Sequence, residues 1–165
     1  MIIRTALPGD LEAFRDLRLT SLRDAPTAFG SDYEQTLAMP LSHFQDRMTI
    51  DDYHYLYFAE EDSRLVGMTG VLRDASPKRA HYVTIWGVFV RAEVRGQRIA
   101  DQLVNACLTW ARAHGALYAR LAVNATNTRA INCYVRCGFR VYGVEHAGIH
   151  WESTFYDDLL MVCDL

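Results

Sequence analysis

Lysine is almost missing from this sequence: of 17 basic residues only Lys78 is one, and the rest are arginine. A compositional bias accounts for that without any mechanism. Missing too is any run of about five or more like charges, and the net charge is -3. A general nucleic-acid surface, which needs many phosphate-neutralising cations, is therefore not expected. No apolar run approaches the roughly 20 residues needed to cross a bilayer, and no secretory apolar segment follows Met1. A cytoplasmic protein without a membrane partner is the expectation. The cysteines Cys107, Cys133, Cys137 and Cys163 lack C-x-x-C spacing, so reduced, buried or half-buried thiols are expected and a metal is not. No repeat, low-complexity tract or linker divides the chain. At 165 residues and 50% apolar content, one domain over residues 1–165 is expected.

What is present reads as alternating strands and helices. "IIRTAL" suits a first strand, and Asp10 is placed to cap a helix carrying Leu11, Phe14, Leu17 and Leu22 at helical spacing. "APTAFGSDYEQTLAMPLSHFQDRM" is broken by Pro26, Gly30 and Pro40, which gives short helical pieces and an aromatic-rich loop. That loop can wall a pocket or simply pack over one end of a sheet. "YHYLYFAEEDSRLVGMTGVLRD" reads as a hairpin with a tight turn at Glu61 to Arg64. "HYVTIWGVFV" is apolar at nearly every position, as in a strand covered on both faces, and Gly87 inside it marks a bulge or a close backbone approach. From Gln97 the chain is expected to be helical. Ile99, Leu103, Cys107, Trp110 and Ala111 share one face, and Arg98, Asp101, Gln102, Asn105 and Arg112 the other. Gly115 ends that helix. "YARLAV" is a further strand, Asn127 caps "TRAINCYVRC" up to Gly138, and two strands close the chain. The fold class is α/β: a mixed, largely antiparallel sheet of about seven strands with helices on both faces.

Two segments carry chemistry. "VRAEVRGQRIADQLVNACLTWA" feeds an arginine- and glycine-containing turn into a helix, whose first N–H groups have no internal partner and can hold a phosphate. Arg91, Arg95 and Arg98 add local charge that suits a small anion. A plain strand-to-helix turn with surface arginines reads equally well on this segment alone. A nucleotide-hydrolysing P-loop does not fit, because "RGQRIA" lacks the Gly-Lys-Ser/Thr ending. In the second segment Asn127, Ala130 and Tyr134 stand at i, i+3 and i+7, on one helical face. Tyr134 is the only titratable hydroxyl there, and Ala130 leaves room for a ligand. A cap and a core tyrosine are the bland alternatives.

Together the two segments resemble the GNAT acyltransferase superfamily. "VFVRAEVRGQRIADQL" is similar to its coenzyme-A loop and helix, and "NTRAINCYVRCGF" to its second motif. The resemblance implies acetyl-coenzyme A as co-substrate, an amine acceptor, direct transfer without a metal, and splayed fourth and fifth strands. It implies that backbone groups of Val88 and Val90 pair with the pantetheine arm. The N–H groups of Gln97, Arg98, Ile99 and Ala100 would hold the pyrophosphate, with Arg95 and Gly96 shaping the turn. Asn127 would bond an amide of the arm, and Tyr134 would protonate the departing thiolate. Members are often homodimers, which the last strands could support. A non-catalytic acyl-coenzyme A binding module of the same fold is the alternative.

The sequence departs from the family pattern in three places. Arg98 stands where the family has a second glycine. A left-handed arginine there would cost roughly 1–2 kcal/mol, so ordinary right-handed dihedrals are expected, with the side chain over the phosphates or in solvent. A positive φ would remove its phosphate role. Ala92 replaces a common proline. Between His81 and Val90 there is no carboxylate to act as general base; Thr84, His81, His150 and Glu152 are the nearest substitutes. The acceptor side would be walled by Phe29, Tyr33, Trp151 and Tyr156 with Asp32, Glu34 and Glu152, a set that would suit a cationic amine. Catalysis through Cys133 or Cys137 is disfavoured, since neither has an adjacent histidine in sequence.

Overall fold

The computed structural model describes residues 1–165. The strands are β1 (Ile2–Thr5), β2 (His54–Glu61), β3 (Arg64–Arg73), β4 (Tyr82–Val90), β5 (Tyr118–Asn124), β6 (Arg140–Trp151) and β7 (Thr154–Asp164). They form one seven-stranded sheet in the order β1-β2-β3-β4-β5-β7-β6. Only β4 and β5 run parallel. The helices are α1 (Leu11–Asp24), α2 (Tyr33–Leu37), α3 (Leu41–Arg47), α4 (Ile99–Ala113) and α5 (Thr128–Arg136). No helix is long and apolar enough to cross a membrane.

The two faces of β4 meet two layers, with the alternation shifted at Gly87. Val83 and Ile85 pack with Val104, Cys107 and Leu108 of α4 and with Leu121 and Val123 of β5. Phe89 joins Phe14 and Leu17 of α1, Phe44 of α3 and Phe58 of β2 on the other face. Leu103 and Val104 are fully buried, each such side chain contributing roughly 1.5–3 kcal/mol. The β2–β3 turn uses Asp62 and Ser63, both with positive φ, which suits the right-handed strand twist of a two-residue hairpin. Glu152 and Ser153 repeat this between β6 and β7.

Gly87 lies at φ +68 beside a register break in the β3–β4 ladder, so the expected bulge is present. A bulge bends its strand. Consistent with that, β4 and β5 pair only from Tyr82 to Thr84, against Tyr118 to Arg120. Beyond that point they diverge, and Val88 and Val90 of β4 line a cavity of about 740 Å³.

Two details differ from the sequence expectations. The long helix starts at Ile99, not Gln97. Asp10 precedes α1 but makes no capping bond. Its carboxylate instead accepts from both Nη atoms of Arg4, at 2.7 and 2.8 Å, and from the Leu7 N–H. Arg4 outcompetes the first N–H groups of α1 for this carboxylate because its bonds are charge-assisted.

The Arg4 contacts, opposed by partial burial, hold the Asp10 carboxyl below its ordinary range. Such a group stabilises the fold fully above its unfolded pKa, about 3.9, and loses that contribution as pH falls through the lower folded value. Asp10→Asn is therefore expected to lower the urea midpoint at pH 7 and to flatten its decline below about pH 4. An unchanged acid limb in the variant would assign that limb to other carboxylates.

Candidate active site

The loop after β4 opens with a 3-10 turn at Ala92–Val94. Its Arg95 N–H closes onto Ala92 O at 3.3 Å, and the Gln102 N–H onto Arg98 O at 3.2 Å. Between them the amides from Gly96 to Ala100 donate to no protein acceptor. Gly96 has φ +90 and Arg98 φ 57. Left-handed residues in such a turn curl successive N–H groups toward one side, where they make an anion-binding concavity. The positive end of α4 adds to it.

The structure overturns the expectation for Arg98. It is left-handed, at φ 57 and ψ 28, as the residue immediately before α4. The turn thus keeps the geometry of a glycine although the side chain is arginine, and the phosphate role of the guanidinium falls with the right-handed expectation. Arg98→Gly is expected to stabilise the protein by about 1 kcal/mol or less, the relief of strain being partly offset by glycine's added unfolded-state freedom. Affinity for coenzyme A should be unchanged in the same variant by calorimetry. A loss of affinity would restore a side-chain contact.

Of the arginine cluster, Arg91 turns away. It is buried, its Nε donates to Leu65 O at 3.1 Å, and it pairs with Asp16 of α1. It fastens the end of β4 to β3 and α1. Arg95 donates from Nε to Val90 O at 2.9 Å, and its guanidinium carbon stands 5.8 Å from the centre of the Phe89 ring.

The cavity here has a volume of about 740 Å³ and is lined by Arg95, Gly96, Arg98, Ile99 and Ala100 at one end and by Asn127, Ala130 and Tyr134 at the other. Val88 and Val90 line it from β4. Arg91 N–H donates to Val66 O on β3, so by strand alternation the peptide groups of Val90 and Val88 face the opposite way, into the β4–β5 gap. One lone pair of Val90 O is already taken by Arg95. A narrower passage continues through the gap, lined by Trp86, Gly87, Val88, Ala122, Val123 and Tyr134 among others. The sheet is therefore perforated where β4 and β5 part.

Asn127 caps α5, its Oδ1 accepting from the Ala130 N–H at 3.1 Å, and its side-chain amide N–H groups remain available at the cavity. Cap and ligand contact are compatible roles. Tyr134 is 7% exposed and packs edge-on against Phe139. Burial above all, then the neighbouring Cys133 and Cys137, pushes its hydroxyl up. It stays protonated at neutral pH, as a proton donor must.

The thiols of Cys133 and Cys137 and the Asp101 carboxylate lie within 4.8 Å of one another, an arrangement able to contact a metal. Both Asp101 oxygens are engaged by Arg136, at 2.7 and 2.9 Å, which ties α4 to α5. Cys133 is pushed up by its bond to Cys137 and by burial. With no histidine in this group, it lacks the base a nucleophilic cysteine needs.

The acceptor side differs most from expectation. Of the aromatic and acidic set named from sequence, only Phe29 lines the cavity and the passage. Asp32 caps α2 by accepting from the Gln35 N–H at 2.9 Å, and Trp151 and Glu152 sit at the β6–β7 turn. Thr84, His81, His150 and Glu152 line neither space. Missed from sequence were Trp86 and Asp24, whereas Ala25, Ala28 and Phe29 come from the loop expected to wall a pocket. Trp86 was findable, since it follows Ile85 and must face the other side of the sheet.

The sequence model of the acetyltransferase (GNAT) family matches residues 14–139. No curated protein sequence matches the chain. Among solved structures, a GNAT-family acetyltransferase from Streptococcus pneumoniae is 19% identical with a TM-score of 0.86, over 99% of both chains. A GCN5-related N-acetyltransferase from Kribbella flavida is 21% identical with a TM-score of 0.85, over 99% of this chain and 97% of that one. A Salmonella typhimurium protein solved with its cofactor acetyl-CoA is 17% identical with a TM-score of 0.82, over 100% and 94%.

Proposed function

The chain belongs to the GNAT acetyltransferase family, and from that premise we propose that it moves an acetyl group directly from acetyl-coenzyme A to a primary amine of its acceptor. The observation that carries this is the row of free amides from Gly96 to Ala100 at one end of a cavity whose other end is Tyr134.

The loop amides and Arg95 take the pyrophosphate, each charge-assisted bond being worth roughly 1.5–3 kcal/mol. The pantetheine arm lies in the gap as an added strand, against the free peptide groups of Val88 and Val90 and the side chain of Asn127. This brings the thioester to the perforation between β4 and β5. The amine arrives from the Trp86 side and attacks the carbonyl carbon, and the Val88 N–H polarises the oxyanion. Collapse breaks the C–S bond, and the Tyr134 hydroxyl gives its proton to the sulfur. With no carboxylate on β4, the ammonium form of the acceptor loses its proton through water. Holding both reactants in one cavity supplies the orientation that a direct transfer needs.

The test is thiol release from acetyl-coenzyme A across amino acids, polyamines, aminoglycosides and peptide amino termini. Acceptor-dependent release with a matching acetylated product is the expected result. Tight coenzyme A binding with no acceptor-dependent release would replace this reading with the binding module.

A further inference from the structure

Arg18 of α1 is 5% exposed, and its Nη1 has no hydrogen-bond partner at all. Its Nη2 donates to Ser31 Oγ at 3.0 Å, and its guanidinium carbon stands 5.0 Å from the centre of the Phe29 ring. Arg47 of α3 comes close on the same side. Its guanidinium carbon is 5.4 Å from the centre of the Trp86 ring, and its Nε meets His43 Nε2 at 3.3 Å. Neither arginine is paired with a carboxylate, although Arg4, Arg91, Arg136 and Arg140 all are.

A buried guanidinium without a counter-ion is costly, and a second arginine nearby makes it costlier. Burial first, and then Arg47, draws the Arg18 pKa down to about 10, still charged at neutral pH. The rings under these two cations, Phe29 and Trp86, both line the passage that leads between β4 and β5 to Tyr134. The positive charge therefore stands one aromatic layer from where an acceptor must lie.

Building on the acetyltransferase reading above, we propose that the acceptor is a small amine bearing an anionic group, a carboxylate or phosphonate, and that the positive charge of Arg18 and Arg47, behind Phe29 and Trp86, draws that group to the α1–α3 side of the passage. An anion in a half-buried passage gains from two nearby cations whose charge no carboxylate offsets. A cationic amine without an anionic group, the kind that the aromatic and acidic residues of the loops suggested from sequence, would meet like charge here. The amine and the anion belong to one molecule because the same two rings border both the passage and the arginines. Amino acids and their phosphorus analogues are thus the substrate class.

The experiment titrates the coenzyme A-saturated protein by calorimetry with matched series: amino acids, their carboxamides, the decarboxylated amines and the corresponding aminophosphonates. Thiol release is measured on the same series. At least one acid or phosphonate should bind about tenfold or more tighter than its neutral partner. Arg47→Ala, at a half-buried site, should remove most of that preference while leaving coenzyme A affinity unchanged. Arg18→Met, which removes the charge but keeps a long apolar side chain, should weaken it in a protein of unchanged circular dichroism. Neutral amides or decarboxylated amines binding as well as the acids, or no member of the series binding at all, overturns the proposal. Turnover confined to amines without an anion would keep the transferase reading and discard this one. Selective acid binding without turnover would do the reverse.

Discussion

Tyr134→Phe is expected to lower kcat about tenfold to thousandfold, the range a positioned general acid supplies, while leaving the affinity for coenzyme A within about threefold. The ring of Tyr134 packs edge-on against Phe139 with centroids 6.1 Å apart, and phenylalanine keeps that contact. Only the hydroxyl is lost, and it lines both the cavity and the passage through the sheet. In the resting protein it has no protein partner to be missed, so the fold should not suffer. The coenzyme A thiolate is a moderate leaving group, which places the effect in the lower part of the range if the acceptor is a good nucleophile. Single-turnover rates separate the chemical step from product release. A variant with unchanged single-turnover rate would show that the thiolate departs unprotonated and would strip Tyr134 of its role. A variant with unchanged kcat and weakened coenzyme A binding would make the hydroxyl a ligand of the arm instead.

The elements were legible where periodicity, caps and glycines agree. Asn127 caps α5 and Gly138 follows its end with φ +93. The α4 face of Ile99, Leu103, Cys107, Trp110 and Ala111 is buried, and Gly87 marks the bulge that lets β4 leave β5. Each of those features is local, so the sequence nearby contains its cause. Arg98 was read wrongly because the rule that left-handed positions prefer glycine is a matter of about 1–2 kcal/mol. A fold with buried strands on both sides of the loop can impose that much. Asp10 and Arg91 were read wrongly for a different reason. Their partners, Arg4 and Asp16, come from other elements, and nothing in the neighbouring sequence says that those charges will meet. The acceptor wall belongs to the same class. Whether Trp151 or Trp86 borders the passage depends on how far β6 and β7 extend past the gap, which is a property of the whole sheet. The unpaired state of Arg18 is also invisible in sequence, because it depends on what fails to come near.

Gly70→Ala is the second change with a large expected effect, and its kinetic effect is expected on the acceptor and not on coenzyme A. A Cβ built at Gly70 would collide with Cε2, Cζ2 and Nε1 of Trp86. The indole thus lies across the bare backbone of β3, at the cross-strand position where Gly70 and Trp86 pair. Glycine is required here for the close approach of a ring, not for its dihedral freedom. The methyl group must displace the indole, which is half-buried, lines the passage and lies under Arg47. Overpacking of this kind costs about 1–3 kcal/mol of stability. The kinetic consequence should be larger. A ring pushed into the passage narrows the route to the thioester and breaks the stack under Arg47, so kcat/KM for the acceptor should fall about tenfold or more, since small displacements of positioning groups are amplified in rate. The loop amides at the start of α4 do not touch Trp86, and coenzyme A affinity should stay within about twofold. Denaturation, calorimetry and acceptor kinetics on one preparation test all three expectations. Equal losses in coenzyme A binding and acceptor turnover would mean that the methyl disturbs β4 as a whole. Unchanged acceptor kinetics with the expected loss of stability would show that the indole is not a wall of the acceptor site, and the approach of the amine would have to be sought on the β6–β7 side.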